Sequence, residues 1–301
     1  MSDQNRPSPH RCRGQRFGEI EYPLRETTRF RPRAPFLSFE ERVHGNRLIY
    51  SDALLIVGDG DRRHYNADAA SGYQFLCLRG FVVQCSLDPM DPLLFDVFRV
   101  IDRLGWCYTV MHVQPFCPRV VREFVSNILF DADGSLIRGV MYQFEPFVIN
   151  KLMMTPSIED SFRWEVVPLK QAITYLTRGQ CYTWAGFSLT ALAEPFQTLY
   201  SVCKLNWLPG PVSETMIKNR LRLLFAVATG RKIDFGRLVY DQVIEMARNS
   251  DWSTDLIFPN LIYQILMFQR EIPMLPGDEE LIGSCIRIHG TSGESSGTRG
   301  A

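Results

Sequence analysis

The feature that most constrains this chain is where its prolines fall. Between residues 91 and 259 a proline five times heads a stripe of apolar residues at helical spacing, at Pro92, Pro118, Pro146, Pro195 and Pro259. Proline at the first helical position sacrifices no hydrogen bond, because that N–H is unpaired in any helix, and its fixed φ suits the first turn. Asp91 precedes Pro92 as an N-cap, the stripe Leu94, Val97, Phe98 and Ile101 follows, and Gly105 closes the segment. The helix from Pro118 is expected to bury Val121, Phe124, Val125, Ile128 and Leu129, with Arg119, Arg122 and Glu123 toward water. Glu145-Pro146 opens a short helix through Leu152, ended by the Thr155-Pro156 loop, and a further short helix is expected over Leu169–Thr177. From Pro195 the inward residues are Phe196, Leu199, Tyr200 and Cys203, and Trp207 plugs the core. The last helix starts at Phe258-Pro259, buries Leu261, Ile262, Ile265 and Leu266, and stops before Ile272-Pro273.

One stretch between these helices carries the same signals without proline. Ser213 caps a helix with the stripe Met216, Ile217, Leu221, Leu224 and Ala228, and Gly230 ends it as a left-handed residue. Asp234 then caps a second helix that buries Phe235, Leu238, Val239, Val243 and Met246. Strand signals are few: Leu136–Phe144 after the turn DADGS at 131–135, with further short strands expected at 48–57 and 78–85. The expected fold class is therefore mainly α, a multi-helix globular domain with a small β element near residues 136–144.

At 301 residues, 46% hydrophobic and 22% charged, the chain has the composition of a globular protein with a sizeable core. Its net charge is zero, which excludes a surface that is basic throughout but leaves local basic patches open. One such patch is the start: from Arg6 to Arg33 eight arginines face three glutamates. Residues 1–35 are expected to form a disordered Arg/Pro-rich arm, 36–285 one mainly helical domain, and 286–301 a Gly/Ser-rich tail.

Eight cysteines, at 12, 77, 85, 107, 117, 181, 203 and 285, include no C-x-x-C pair and sit mostly among apolar neighbours, and the five histidines are scattered. They read as buried thiols in a reducing compartment, with no zinc set and no cofactor. Cys117, beside Pro118 at a helix start, has the position of an activated thiol, but Phe116 and Val120 flank it and point to burial. Asp131, Asp133 and Ser135 imitate the start of an EF-hand loop; Gly134 comes two places too early and Tyr142 stands where the closing Glu belongs, so the segment reads as a turn. No apolar run reaches the roughly 18 residues of a membrane span. With no secretory leader pattern, an intracellular location is expected, and no compact Lys/Arg block decides between nucleus and cytoplasm.

Several phrases in order resemble a known family: RGF at 79–81, LGW at 104–106, VVREFVSNI at 120–128, IRGVMYQFEPFVINKLM at 137–153, the run from KLNWLPG to YDQV at 204–243, and LIFPNLIYQIL at 256–266. Together they are similar to the putative plant transposon protein domain, over roughly residues 36–280. FVSNI at 124–128 replaces the aromatic-rich FYANL-like pattern usual there, a change that is conservative in packing. The resemblance implies a plant transposable-element or retroelement origin and carries over no catalytic residue.

Two functional readings were open to test. The hinge at Gly230, with Ala226 four residues before it, has helix-turn-helix spacing, which makes Arg231 and Lys232 candidate nucleic-acid contacts. Yet Arg231 stands where a buried apolar residue is wanted, and the second helix offsets Arg237 and Arg248 with Asp241 and Glu245, so an αα-hairpin closing the core is the favoured expectation. A divergent or degenerate DDE-type transposase is the alternative; it needs three carboxylates converging on two metal ions about 4 Å apart, and only Asp52, Asp59 and Asp61 lie near a strand signal. P-loop, nucleophile-elbow and H-E-x-x-H patterns do not occur. The expected role is a non-enzymatic, nucleic-acid-associated or assembly protein that self-associates or binds nucleic acid through Arg11, Arg13, Arg16, Arg29, Arg31 and Arg33 of the arm, together with Arg231 and Lys232.

Overall fold

A computed structural model describes residues 36–46, 63–130, 132–249, 253–284 and 286–289. Among them lie ten α-helices and five short strands. The helices are α1 Phe39–Asn46, α2 Ala67–Leu76, α3 Phe95–Asp102, α4 Pro118–Ser126, α5 Pro146–Met153, α6 Leu169–Leu176, α7 Phe196–Val202, α8 Glu214–Ala228, α9 Phe235–Arg248 and α10 Pro259–Gln269. The strands are β1 Cys85–Leu87, β2 Ile128–Leu129, β3 Gly134–Ile137, β4 Val140–Gln143 and β5 Ile286–Ile288. The fold is mainly α, and the strands at 48–57 expected from sequence lie outside the described residues.

The caps act as their residue types predict. Asp91 accepts from the Leu93 N–H at 2.9 Å, Ser213 from Met216 at 3.2 Å and Asp234 from Arg237 at 2.8 Å. Gly230 ends α8 with φ +68°. Near the centre, α8 touches α3, α6 and α7, while α10 touches α4 and α5. Helix α10 is apolar nearly all round, so it has no solvent face and is buried from Pro259 to Gln269 except at Tyr263 and Met267. Trp106 packs edge-on against Trp207 and Phe235, with centroids 5.3 and 5.2 Å away, and this cluster joins the single π-helical turn Cys203–Trp207 to the start of α9.

The β element departs from expectation. Residues 136–144 form a hairpin rather than one strand: Arg138 and Gly139 both have positive φ, +54° and +79°, the two-residue turn that matches strand twist. β3 pairs with β4 on one side and with β2 on the other, all antiparallel. Ile128 and Leu129 are thus strand, not the end of a helix, because Asn127 turns away to donate to the Arg63 carbonyl at 2.6 Å. Within 78–85 only an isolated bridge at Phe81 forms before β1, which starts at Cys85 and pairs in parallel with β5 from the far end of the chain.

Buried amides stitch the loops to this core. Asn206 accepts from the Cys85 N–H at 2.9 Å and donates to the carbonyls of Cys85 and Thr109, both at 2.8 Å. Asn260 accepts from Gln84 and donates to Gln114 and Gly283. Asn150 accepts from the Gly236 N–H at 2.7 Å and donates to Asp234 at 3.0 Å, joining α5 to α9. Asn206 and Asn260 each pair with backbone N–H and C=O groups as a neighbouring strand would, while Asn150 satisfies a first-turn N–H of α9 and its capping carboxylate.

Candidate functional site

An open groove of about 630 Å³ runs along the outward side of α9. Its far walls are the segments 161–165, 208–211 and 254–257. Leu208, Ile233, Leu238, Met246 and Ile257 form an apolar floor, all of them buried, with Trp164 beside them. Five carboxylates line it, Glu165, Asp234, Asp241, Glu245 and Asp255, against three arginines, Arg79, Arg163 and Arg237.

Those charges are not equally available. Arg79 is buried and donates to the Thr254 carbonyl at 2.6 Å and to its hydroxyl at 3.0 Å. Arg237 is paired with Asp241 at 2.9 Å, and Asp234 is taken up by three donors: the N–H groups of Arg237 and Ile158 and the Asn150 amide. Glu165, Glu245 and Asp255 remain, with Arg163 opposing them; all four are exposed, and among the described residues none of the four is in an ion pair, which leaves a net negative charge. The groove therefore presents negative charge over an apolar floor.

Arg231 and Lys232 lie near the groove, at the α8–α9 corner, and both are exposed. The Arg231 guanidinium stands over the Phe162 ring at 5.2 Å, and the Lys232 carbonyl accepts from the Phe162 N–H at 2.8 Å. The buried apolar residue of the corner is Ile233. α9 itself is sandwiched between α5, against which Gly236 packs, and the groove, toward which it turns Asp241 and Glu245. Arg11, Arg13, Arg16, Arg29, Arg31 and Arg33 lie outside the described residues, as do Asp52, Asp59 and Asp61.

A second charge cluster was not foreseen. Glu123, expected toward water, is fully buried on the inner side of α4. Arg138 reaches it with Nε at 2.9 Å and Nη2 at 3.3 Å, and forks onto Asp278 at 2.7 and 2.8 Å. Arg63 closes the ring at 2.8 Å from Glu123 and 3.1 Å from Asp278. Burial raises the Asp278 pKa, but the donors from Arg138, the Leu275 N–H and Arg63 outweigh it and hold the carboxyl at about 2. Two guanidiniums and two carboxylates cancel, and the carboxylate oxygens are engaged by guanidinium and backbone donors, so the ring is built to clamp rather than to move protons. Local sequence carries no sign of it, because its members are separated by up to 215 positions.

Other candidates resolve as structure. The Cys117 thiol is buried and donates to the Glu279 carbonyl at 3.4 Å. Of the described cysteines, Cys77 is exposed and the other five are buried, and none of the six is in a disulfide. Asp133 accepts from the Tyr240 hydroxyl at 2.6 Å; burial, then that bond, pushes the phenol up to about 12. Among the described residues no group of three or more His, Cys, Asp or Glu converges to hold a metal, and no helix is long and apolar enough to cross a membrane.

A family model described as a putative plant retrotransposon-related domain matches residues 102–270, more than half of the chain. The chain belongs to this family. The matched span of the retrotransposon-related domain runs from the end of α3 through α10, and so contains the groove's α9 wall and Arg138, but not Arg63, Arg79 or Asp278. It is shorter than the 36–280 expected from the resemblance, and RGF at 79–81 falls outside it. No curated protein and no solved structure matches the chain.

Proposed function

We propose that this retrotransposon-related protein acts without bond-making chemistry of its own, as a nucleic-acid-associated assembly factor whose arginine-rich N-terminal segment contacts phosphates. The observation that carries the reading is charge segregation. The chain holds 33 basic and 33 acidic residues; with eight arginines and three glutamates between Arg6 and Arg33, 25 basic face 30 acidic residues elsewhere. A neutral protein with its positive charge concentrated in one segment attracts polyanions through that segment and repels them over the rest. Arg231 and Lys232, exposed at the α8–α9 corner, are the contacts the folded core adds.

The test is affinity of the full chain for labelled single- and double-stranded nucleic acid across a salt series. Wild type is compared with a variant carrying Gln at Arg11, Arg13, Arg16, Arg29, Arg31 and Arg33, and with Arg231→Glu/Lys232→Glu. Log affinity is expected to fall with log salt by roughly 0.7 to 0.9 per phosphate contacted, and the slope to shrink in the arm variant and, by up to two contacts, in the corner variant. No binding by the wild type near physiological salt overturns the reading.

A further inference from the structure

We infer that the acidic groove along α9 is a docking site for an arginine-rich peptide strand, and that its occupant is this chain's own segment Arg6–Arg33. Three observations meet here. The outward face of α9 is uncovered by any described element, over a groove of about 630 Å³ whose floor is apolar and whose exposed charges outside the ion pairs are Glu165, Glu245 and Asp255 against Arg163 alone. Arginine suits such a surface, since its aliphatic stem lies along apolar side chains while the guanidinium reaches the carboxylates at the rim. The complementary charge sits in the same chain, with a surplus of five arginines over glutamates between Arg6 and Arg33.

Geometry permits the contact. The segment ends three residues before Phe36, whose ring packs 5.8 Å from Phe98, and the next residue, Leu37, donates its N–H to the Tyr108 hydroxyl at 2.6 Å. Tyr108 is two positions from Trp106, which packs on Phe235 at the first turn of α9. An extended strand covers roughly 3.3 Å per residue, so about a dozen residues span 40 Å, around the diameter of a domain this size. Nucleic acid and the groove would compete for the same guanidiniums, a corollary that rests on the proposed function, whereas docking itself does not.

Tryptic cleavage of the full-length protein after Arg11, Arg13, Arg16, Arg25 and Arg29, followed by mass spectrometry, tests the assignment. Rates are normalised to a free peptide spanning residues 6–33. At low salt the segment in the wild type is expected to be cut about tenfold more slowly than the peptide, three exposed ion pairs acting together. Protection should vanish in the Glu165→Gln/Glu245→Gln/Asp255→Asn variant, and in the unaltered protein at about 1 M salt, where the screening length shrinks to roughly 3 Å. The salt arm needs no substitution, so it stands even if the variant folds poorly. Wild-type cleavage as fast as the peptide, or protection that survives the variant or high salt, overturns the inference. Protection that rises with protein concentration would place a second copy's segment in the groove and overturn the assignment to the same chain. Loss of protection in the variant with no change in nucleic-acid affinity would keep the docking while removing the arm as the phosphate contact.

Discussion

At the scale of single residues, the polar side chains that matter most are those that face inward. Arg138 holds a left-handed backbone conformation that a long side chain rarely adopts, at a cost on the order of 1 kcal/mol or more, and its two bidentate contacts offset that cost. Arg138→Met leaves Glu123 and Asp278 with Arg63 alone, and the loss expected for breaking a buried pair is about 3–5 kcal/mol in urea unfolding. Arg138→Lys should recover only part of it, since an ammonium is a point charge and cannot fork onto two carboxylates. Equal stability of both variants and the wild type would contradict this clamp. None of it was legible locally: on a helix, a glutamate beside Arg122 reads as solvent-facing, and only the fold brings Arg138 and Asp278 to Glu123. Asn150, Asn206 and Asn260 teach the same lesson, for they sit inside phrases that carry the family resemblance, yet their role as backbone partners appears only when the loops they bind are in place.

At the scale of elements, punctuation was legible and pairing was not. Asp91, Ser213 and Asp234 cap the helices expected of them, and the prolines at 92, 118, 146 and 259 stand in first helical turns, Pro92 in the 3-10 turn that leads into α3. What failed was the hairpin: Arg138-Gly139 lacks the Asn or Asp that usually announces such a turn, because Arg138 is placed by its ion pairs rather than by local preference. Helix packing adds a constraint that sequence alone leaves silent. Gly236 lies so close to α5 that a Cβ there would stand 2.1 Å from the Pro146 carbonyl oxygen, whereas at Gly72 in α2 a Cβ meets nothing within 4 Å. Gly72→Ala should stabilise the protein by about 0.5–1 kcal/mol through the helical preference of alanine. Gly236→Ala should destabilise it by about 1–3 kcal/mol or more despite the same preference, because α5 and α9 must part. Thermal midpoints moving the same way in both variants would refute the close α5–α9 approach.

At the scale of the whole molecule, buried charge fixes how the fold responds to acid. His112 lies near Arg42, a buried guanidinium over the Tyr108 ring whose own pKa burial pulls down to about 10. Burial, then the Arg42 charge, lowers the His112 pKa below its ordinary 6.5, with Glu40 and Glu41 opposing. A group depressed in the folded state stabilises while deprotonated, so the His112 contribution is complete above about pH 6.5 and is lost as pH falls through the lower folded value. Asp278 follows the same sign in a lower window: its contribution is present above 3.8 and disappears as pH falls toward about 2. Urea midpoints measured from pH 8 down to 2 should therefore decline in two stages, one beginning below 6.5 and one below 3.8. His112→Asn, chosen because asparagine tolerates the positive φ of +53° at that position, should flatten the first stage and leave the second. Asp278→Asn should lower stability at neutral pH and flatten the second stage, since its amide no longer titrates. A midpoint that stays level between pH 6.5 and 4 in the wild type would show that His112 charges in the folded protein without penalty, and would remove Arg42 as its opponent.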